Sequence, residues 1–214
     1  MKKYKKGFQT EQMILQTAKL LFYKNGYAKT SMRDICAETG IQLGTLTYYF
    51  KKKKDIAERI YSEFIVRLLS FVRTNTYHDH MNGIQINFHK QIYHYHAIYS
   101  DPQTQAFHAE MLHSEYVYQE IILKLYNPYF RALPNRMTKE DFDTAVFADT
   151  CLRKEFGLQY INAPQAKTVT ELYITIQTLT GRLMRIPEET TQQYIQEALT
   201  FFENHDGSAI RLLI

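Results

Sequence analysis

The sequence predicts an all-α protein. Apolar residues recur at helical spacings of three, four and seven in segment after segment. Glycine and proline, at 8 and 5 in 214 residues, are too scarce for a turn-rich β protein or a disordered chain. No strand pattern competes with the helical one, and no internal repeat is visible.

The helices can be read off in order. Thr10 is the expected cap of a first helix, with Ile14, Ala18, Leu21 and Phe22 along one face and Asn25-Gly26 as its stop. Ser31-Met32-Arg33-Asp34 is a capping box that opens a second helix, which Thr39-Gly40 closes. Gly40 permits a sharp turn into a third short helix within 41–50, where Leu46 and Phe50 pack inward. Leu43, Gly44, Thr45, Thr47 and Tyr48 are then left outward. Two short helices joined by a glycine turn make a helix-turn-helix, whose second helix offers its outward side chains to a major groove.

A fourth helix is expected from about Lys53 to Thr74, built on Ile56, Ile60, Phe64 and Leu68, with a loop at 75–83. A fifth covers 84–100. It carries Ile84, Phe88, Ile92, Tyr95 and Tyr99 on one stripe, and His89, Tyr93 and His96 on another about 100° round. Asp101-Pro102 starts a sixth, which continues through a bend at Asn127-Pro128 to about Leu133. Thr138 to Asp141 caps the next, which ends near 162–164. The last two are 168–185, with Leu172, Ile176, Leu179 and Leu183 as its face, and 188–204, acidic at its start.

The charge is unevenly spread. Residues 1–54 carry 12 Lys and Arg against 3 Asp and Glu, while the remainder is net acidic. Such an asymmetry points to a polyanionic partner for the first part. Two cysteines, Cys36 and Cys151, exclude a disulfide scaffold and fit a reducing compartment; Cys36 reads as core. No apolar run approaches the ~18 residues of a membrane span. The basic N-terminus lacks the apolar stretch of a secretory signal. A cytoplasmic protein without membrane contact is expected.

Ile14-Leu15, Ala18, Leu21-Phe22, Gly26-Tyr27, Thr30 to Ile35, Ala37, Gly40-Ile41, Gly44-Thr45-Leu46, Tyr49-Phe50 and Lys53 follow one another at a characteristic spacing. In this, residues 10–56 resemble the DNA-binding domain of the TetR family of bacterial transcriptional regulators. The resemblance implies a helix-turn-helix domain at 1–54, with a basic arm at 1–9, joined by a long helix to a helical ligand-binding and dimerisation domain at 55–214. It implies a homodimeric repressor that holds a near-palindromic operator in double-stranded DNA and is released by a small-molecule effector. It implies no cofactor, and no catalysis. Ser31, Arg33, Gln42, Leu43, Gly44, Thr45, Thr47, Tyr48, Tyr49 and Lys53 lie where the family meets DNA. Thr45 suits a contact near a helix N-terminus, Gly44 a close backbone approach, the tyrosines and Lys53 phosphates. Gln42, Leu43 and Thr47 depart from the commonest family pattern; Leu43 fits a thymine methyl.

For the second part, the aromatic and polar residues of its middle helices suggest a mostly apolar pocket: Phe64, His89, Ile92, Tyr93, His96, Phe107, Glu110, Met111 and Tyr116. With Glu115 and Glu120 near Glu110, such a cavity suits a cationic effector, with a neutral or acidic one as the alternative. Seven of the eight histidines fall within 78–113, so a metal-responsive regulator is the alternative, with His-x-His at 78/80 and 94/96 beside Asp79 and Glu110. Residues two apart on a helix face nearly opposite ways, so no metal is expected. No GxSxG, Walker, GxGxxG or Cys-His signature argues for an enzyme. A ligand-independent repressor or adaptor is a further alternative. The dimer is expected through 168–185 and 188–204, with Phe142, Val146, Ala148 and Leu152 of 139–161 as the runner-up face.

Overall fold

The computed structural model describes residues 2–76, 80–113, 137–163 and 166–214. Regular structure among them is helical throughout: α1 (Lys2–Asn25), α2 (Met32–Thr39), α3 (Leu43–Tyr49), α4 (Lys53–Asn75), α5 (Gly83–Tyr99), α6 (Pro102–His113), α7 (Lys139–Asn162), α8 (Val169–Leu183) and α9 (Glu188–Asn204). No helix among the described residues is long and apolar enough to cross a membrane.

One boundary differs from expectation. Helix α1 starts at Lys2 rather than at a cap on Thr10, so the basic arm is helical. Lysine is a good helix former and a lone glycine such as Gly7 costs only about 1 kcal/mol, so nothing in that stretch stops the helix. The sixth helix ends at His113; its expected extension to Leu133, with the Asn127-Pro128 bend, lies outside the described residues. The capping box forms as read: Asp34 N–H donates to Ser31 Oγ at 3.2 Å and Ser31 N–H to Asp34 Oδ2 at 2.7 Å.

The apolar core is continuous. Ile14, Leu15, Ala18 and Phe22 of α1 bury themselves with Ile35, Leu46 and Phe50 of α2 and α3. Ile56, Ile60, Phe64, Leu68 and Val72 run the length of α4 and extend that core into the larger bundle. There α5 lies in the middle, flanked by α4, α6, α8 and α9. Of the runner-up dimer face on α7, Ala148 and Leu152 remain partly accessible, while Phe142 and Val146 are buried within the chain. The latter two pack against the protein's own core, a use that periodicity cannot tell from a partner's surface.

A helix enclosed on all sides is normally apolar all round. Helix α5 instead buries Asn87, His89, Lys90, Gln91 and His94. Beside it, Arg153 of α7 donates to Asp149 Oδ2 at 2.6 Å, to Tyr95 Oη at 3.0 Å, and to Gln177 Oε1 and Thr180 Oγ1 at 3.1 and 2.9 Å. Thr180 returns its hydroxyl to Asp149 Oδ1 at 2.5 Å. This network ties α5, α7 and α8 together. Beyond α9 the chain folds back. Tyr93 donates to the His205 carbonyl at 2.7 Å, Arg67 to the Arg211 carbonyl at 2.6 Å, and Leu212 and Leu213 are buried.

Two outcomes follow for stability. Replacing Arg153 by Met leaves the Asp149 carboxylate buried without its cation and should cost about 3–5 kcal/mol in urea denaturation. Stability of the ligand-free protein should also rise with pH. Burial lowers the Lys90 ammonium from 10.5 to about 7. Below about 7 its penalty is full; between about 7 and 10.5 the unfolded chain alone keeps the proton, so folding gains up to about 1.4 kcal/mol per pH unit. Burial also holds His94 well below 6.5 and His108 near about 3. Unfolded imidazoles take up protons first, so stability falls as pH drops through 6.5. Denaturation at pH 5, 7 and 9 should show both limbs, and Lys90→Met should flatten the upper one alone.

Candidate nucleic-acid interface

Helix α3 is anchored from below and bare above. Leu46 and Phe50, four residues apart, are buried against α1 and α2, which turns the opposite side outward. Gln42, Leu43, Gly44, Thr45, Thr47 and Tyr48 are all exposed. Leu43 is 44% and Tyr48 83% accessible, high values for large apolar side chains. Gln42 makes no side-chain cap bond, so the N–H groups of Leu43 and Gly44 are not capped by it, while those of Thr45 and Leu46 donate to the Gln42 carbonyl. A Cβ built on Gly44 meets no atom within 4 Å. The fold therefore does not need glycine there, and a surface that must approach this backbone closely would. Thr47 turns its hydroxyl back to the carbonyls of Leu43 and Gly44 at 3.0 and 3.2 Å, leaving its methyl and lone pairs outward.

The flanks join this face to different degrees. Ser31 and Arg33 are exposed at the start of α2. Tyr49 is half-buried, edge-on to Tyr48 with ring centroids 5.2 Å apart. Lys53 is turned inward. Its ammonium donates to the carbonyls of Tyr27 and Thr30 at 2.6 and 2.7 Å and lies 4.1 Å from the centre of the Tyr27 ring. Partial burial lowers its pKa, with Glu110 and Asp34 opposing. The turn between α1 and α2 presents bare carbonyls where α4 begins, and a cation there satisfies them. Lys53 thus ties the turn to α4, a role its spacing does not reveal.

The pocket residues foreseen from sequence do not converge. Helix α5 is central, so its two stripes meet different neighbours. His89 and Tyr93 meet Phe201 edge-on, and His96 stacks on Phe202 at 4.4 Å while bonding Thr170 Oγ1 at 3.3 Å. Phe64, Ile92 and Met111 are core residues, with Phe64 toward His94. Phe107 belongs to the seam with the helix-turn-helix, stacked between Phe22 and Tyr61 at 5.5 and 5.9 Å. Glu110 reaches the same seam: its Oε2 accepts the Ala28 N–H at 2.5 Å, and its Oε1 stands 3.0 Å from where a Cβ on Gly26 would be. Gly26, at φ +84°, is needed both for the turn and for that carboxylate. Tyr116, Glu115 and Glu120 lie outside the described residues. His94 and His96 point to opposite neighbours, as helical geometry requires, and among the described residues no His, Cys, Asp and Glu cluster of three has metal-binding geometry. His78 and Asp79 also lie outside them.

Sequence reading missed a cavity of about 410 Å³ between α5, the start of α6 and the returning tail, lined by Tyr93, His96, Asp101, Phe202, Asp206 and Arg211 among others. The apolar residues Ile210, Leu212, Leu213 and Ile214, of which Leu212 and Leu213 are buried, were the available signal that the tail packs.

Residues 14–60 match the family described as bacterial regulatory proteins, tetR family. The probable HTH-type transcriptional regulator YttP of Bacillus subtilis (strain 168) is 34% identical over 55 residues, 26% of this chain and 27% of that protein. The transposon Tn10 TetC protein of Escherichia coli is 27% identical over 74 residues, 35% and 36% of the two chains. The matches thus span about a quarter to a third of these relatives. Among solved structures, Thermus thermophilus FadR, a TetR family transcriptional repressor in complex with lauroyl-CoA, superposes with a TM-score of 0.59 at 14% identity, over 79% of this chain and 92% of that one. SmeT, the repressor of the Stenotrophomonas maltophilia multidrug efflux pump SmeDEF, gives 0.53 at 14%, over 80% and 88%. At such identities these two show a shared fold and nothing finer. The helix-turn-helix thus matches the tetR family of bacterial regulatory proteins in sequence over residues 14–60, and the larger bundle shares its fold with these two structures.

Proposed function

We propose that this protein is a homodimeric transcriptional repressor: residues 1–54 hold a near-palindromic operator in double-stranded DNA, and residues 55–214 form a helical domain that pairs two chains and answers a small-molecule effector. The observation that carries the reading is the outward row of α3, Leu43, Gly44, Thr45, Thr47 and Tyr48, exposed on a base locked by Leu46 and Phe50. Two recognition helices would then sit about 34 Å apart, one turn of DNA. The positive charge of the first 54 residues supports phosphate attraction, with Ser31, Arg33, Gln42 and Tyr49 at the rim. Lys53 acts by holding the α1–α2 turn. Pairing runs through α8 and α9, where Leu179, Leu183 and Leu199 remain partly accessible.

The effector works by binding the two spacings of the dimer unequally. Helix α6 is placed to carry that difference. Glu110 grips the Ala28 amide, Asp101 accepts the Tyr23 hydroxyl at 3.1 Å, and Phe107 stacks on Phe22. Any shift of α6 therefore reaches α1 and the turn before α2.

DNA selected from a random pool, followed by gel retardation, tests the reading; a well-folded protein that retards nothing ends it. Affinity should fall steeply as KCl rises, since several phosphates are neutralised per chain. Gly44→Leu should fold as stably as the natural protein yet lose at least about tenfold in operator affinity, roughly 1.4 kcal/mol; unchanged affinity would point away from α3. Glu110→Ala should still bind the operator but release it less readily when effector is added, read as a smaller effector-induced change in the DNA dissociation constant.

A further inference from the structure

The interior of the larger bundle holds an amine that no acid among the described residues pairs with. Asn87, Lys90, Gln91 and His94 fall at i, i+3, i+4 and i+7 of α5, and all four are buried. Lys90 is 3% accessible, and the ion pairs of the described residues do not include it. Among the described residues, the carboxylate whose charge reaches it, Asp149, is already held by Arg153 and Thr180. Arg153 and Asp149 neutralise one another, and burial keeps His94 and His108 uncharged at neutral pH. Among the described residues, Lys90 is then the cation of the site that has no counter-charge of its own.

Polar atoms without partners surround it. His94 Nδ1 and Asn87 Oδ1 on α5, and Gln177 Nε2 on α8, are enclosed and make no hydrogen bond among the described residues. The His94 ring lies 5.6 Å from that of Phe64 and 6.5 Å from that of His108, whose Nδ1 is engaged by the Tyr61 hydroxyl at 2.7 Å. Each unsatisfied buried group costs about 1–3 kcal/mol, and an unpaired ammonium more. Leucine or methionine on this face would remove those penalties. A face that keeps them is arranged for a group that arrives from outside. That group needs negative charge for Lys90 and acceptor atoms for N–H donors of His94 and Gln177; Asn87 Oδ1, itself an acceptor, is not part of that demand. A carboxylate supplies both. Among the described residues a cation would meet Lys90 without an available acid, because Asp149 is paired with Arg153 and Glu110 is occupied at the Ala28 amide.

We propose that the inner face of α5, through Lys90 and His94, receives the carboxylate of an organic acid whose apolar body lies against Phe64. The proposal rests on the sensor reading above and replaces the cationic effector expected from sequence.

The test uses the full-length protein and matched probes: decanoate, benzoate and 4-phenylbutyrate, each beside its primary amide and primary amine. Thermal shift and calorimetry should find at least one acid that binds, with its amide and amine at least tenfold weaker. Lys90→Met should lose at least tenfold in affinity for that acid and little for the amide; His94→Phe should weaken the acid too. If Lys90→Met fails to fold, Lys90→Gln takes its place. Absence of binding by all three acids, equal binding of acid and amine, or an unchanged acid affinity in the Lys90 variant overturns the proposal. Operator release is read in parallel. An acid that binds at Lys90 but leaves the DNA complex intact sinks the sensor reading and spares the site. An amine that binds and releases DNA does the reverse.

Discussion

The enclosure of α5 is the constraint around which the larger bundle is organised. A helix touched by α4, α6, α8 and α9 has no solvent face on which to park polar side chains. Each polar residue it carries must find a partner inside or be left wanting one. Tyr93 and His96 find theirs toward the tail and α8, and His89 Nδ1 bonds the Gln85 carbonyl one turn back on α5 itself. Tyr95 finds Arg153. Asn87, Lys90 and His94 do not share in those arrangements, and the difference between the two sides of one helix separates scaffold from candidate site. The Arg153 network makes that distinction durable, because it pins three helices by directional bonds where apolar contact alone would allow sliding.

Much of the first part was legible in the sequence. Ser31 and Asp34 act locally, three residues apart, and a capping box needs nothing else. Leu46 and Phe50 declare the inner side of α3 by spacing alone. Lys53 and Glu110 were not legible in the same way. Their partners, the carbonyls of Tyr27 and Thr30 and the amide of Ala28, lie 23 to 82 residues away and are backbone groups, which carry no side-chain signature. The stripes of α5 were legible as stripes. Which neighbour each one meets is decided by topology, and so His96 was grouped with Phe107 although one faces Phe202 and the other Phe22.

The seam around Gly26 explains why distant elements can act on a small reading head. Three contacts of different kinds converge on it: a hydrogen bond from the Ala28 N–H to the Glu110 carboxylate, the Lys53 cation over the Tyr27 ring, and stacked rings at Phe107. Dispersion, cation–π attraction and hydrogen bonding differ in how sharply they fall with distance and angle. A joint that combines them resists rotation as well as separation.

Helix α4 belongs to both cores, and its dimensions give it leverage. Its 23 residues make a rod of about 34 Å at 1.5 Å each. Pivoted near one end, such a rod converts a tilt of roughly 5° into about 3 Å of travel at the other, close to the 3.4 Å rise of one nucleotide step. Displacements too small to disturb packing beside the pivot thus become, at the far tip, an error of a whole rung on the ladder.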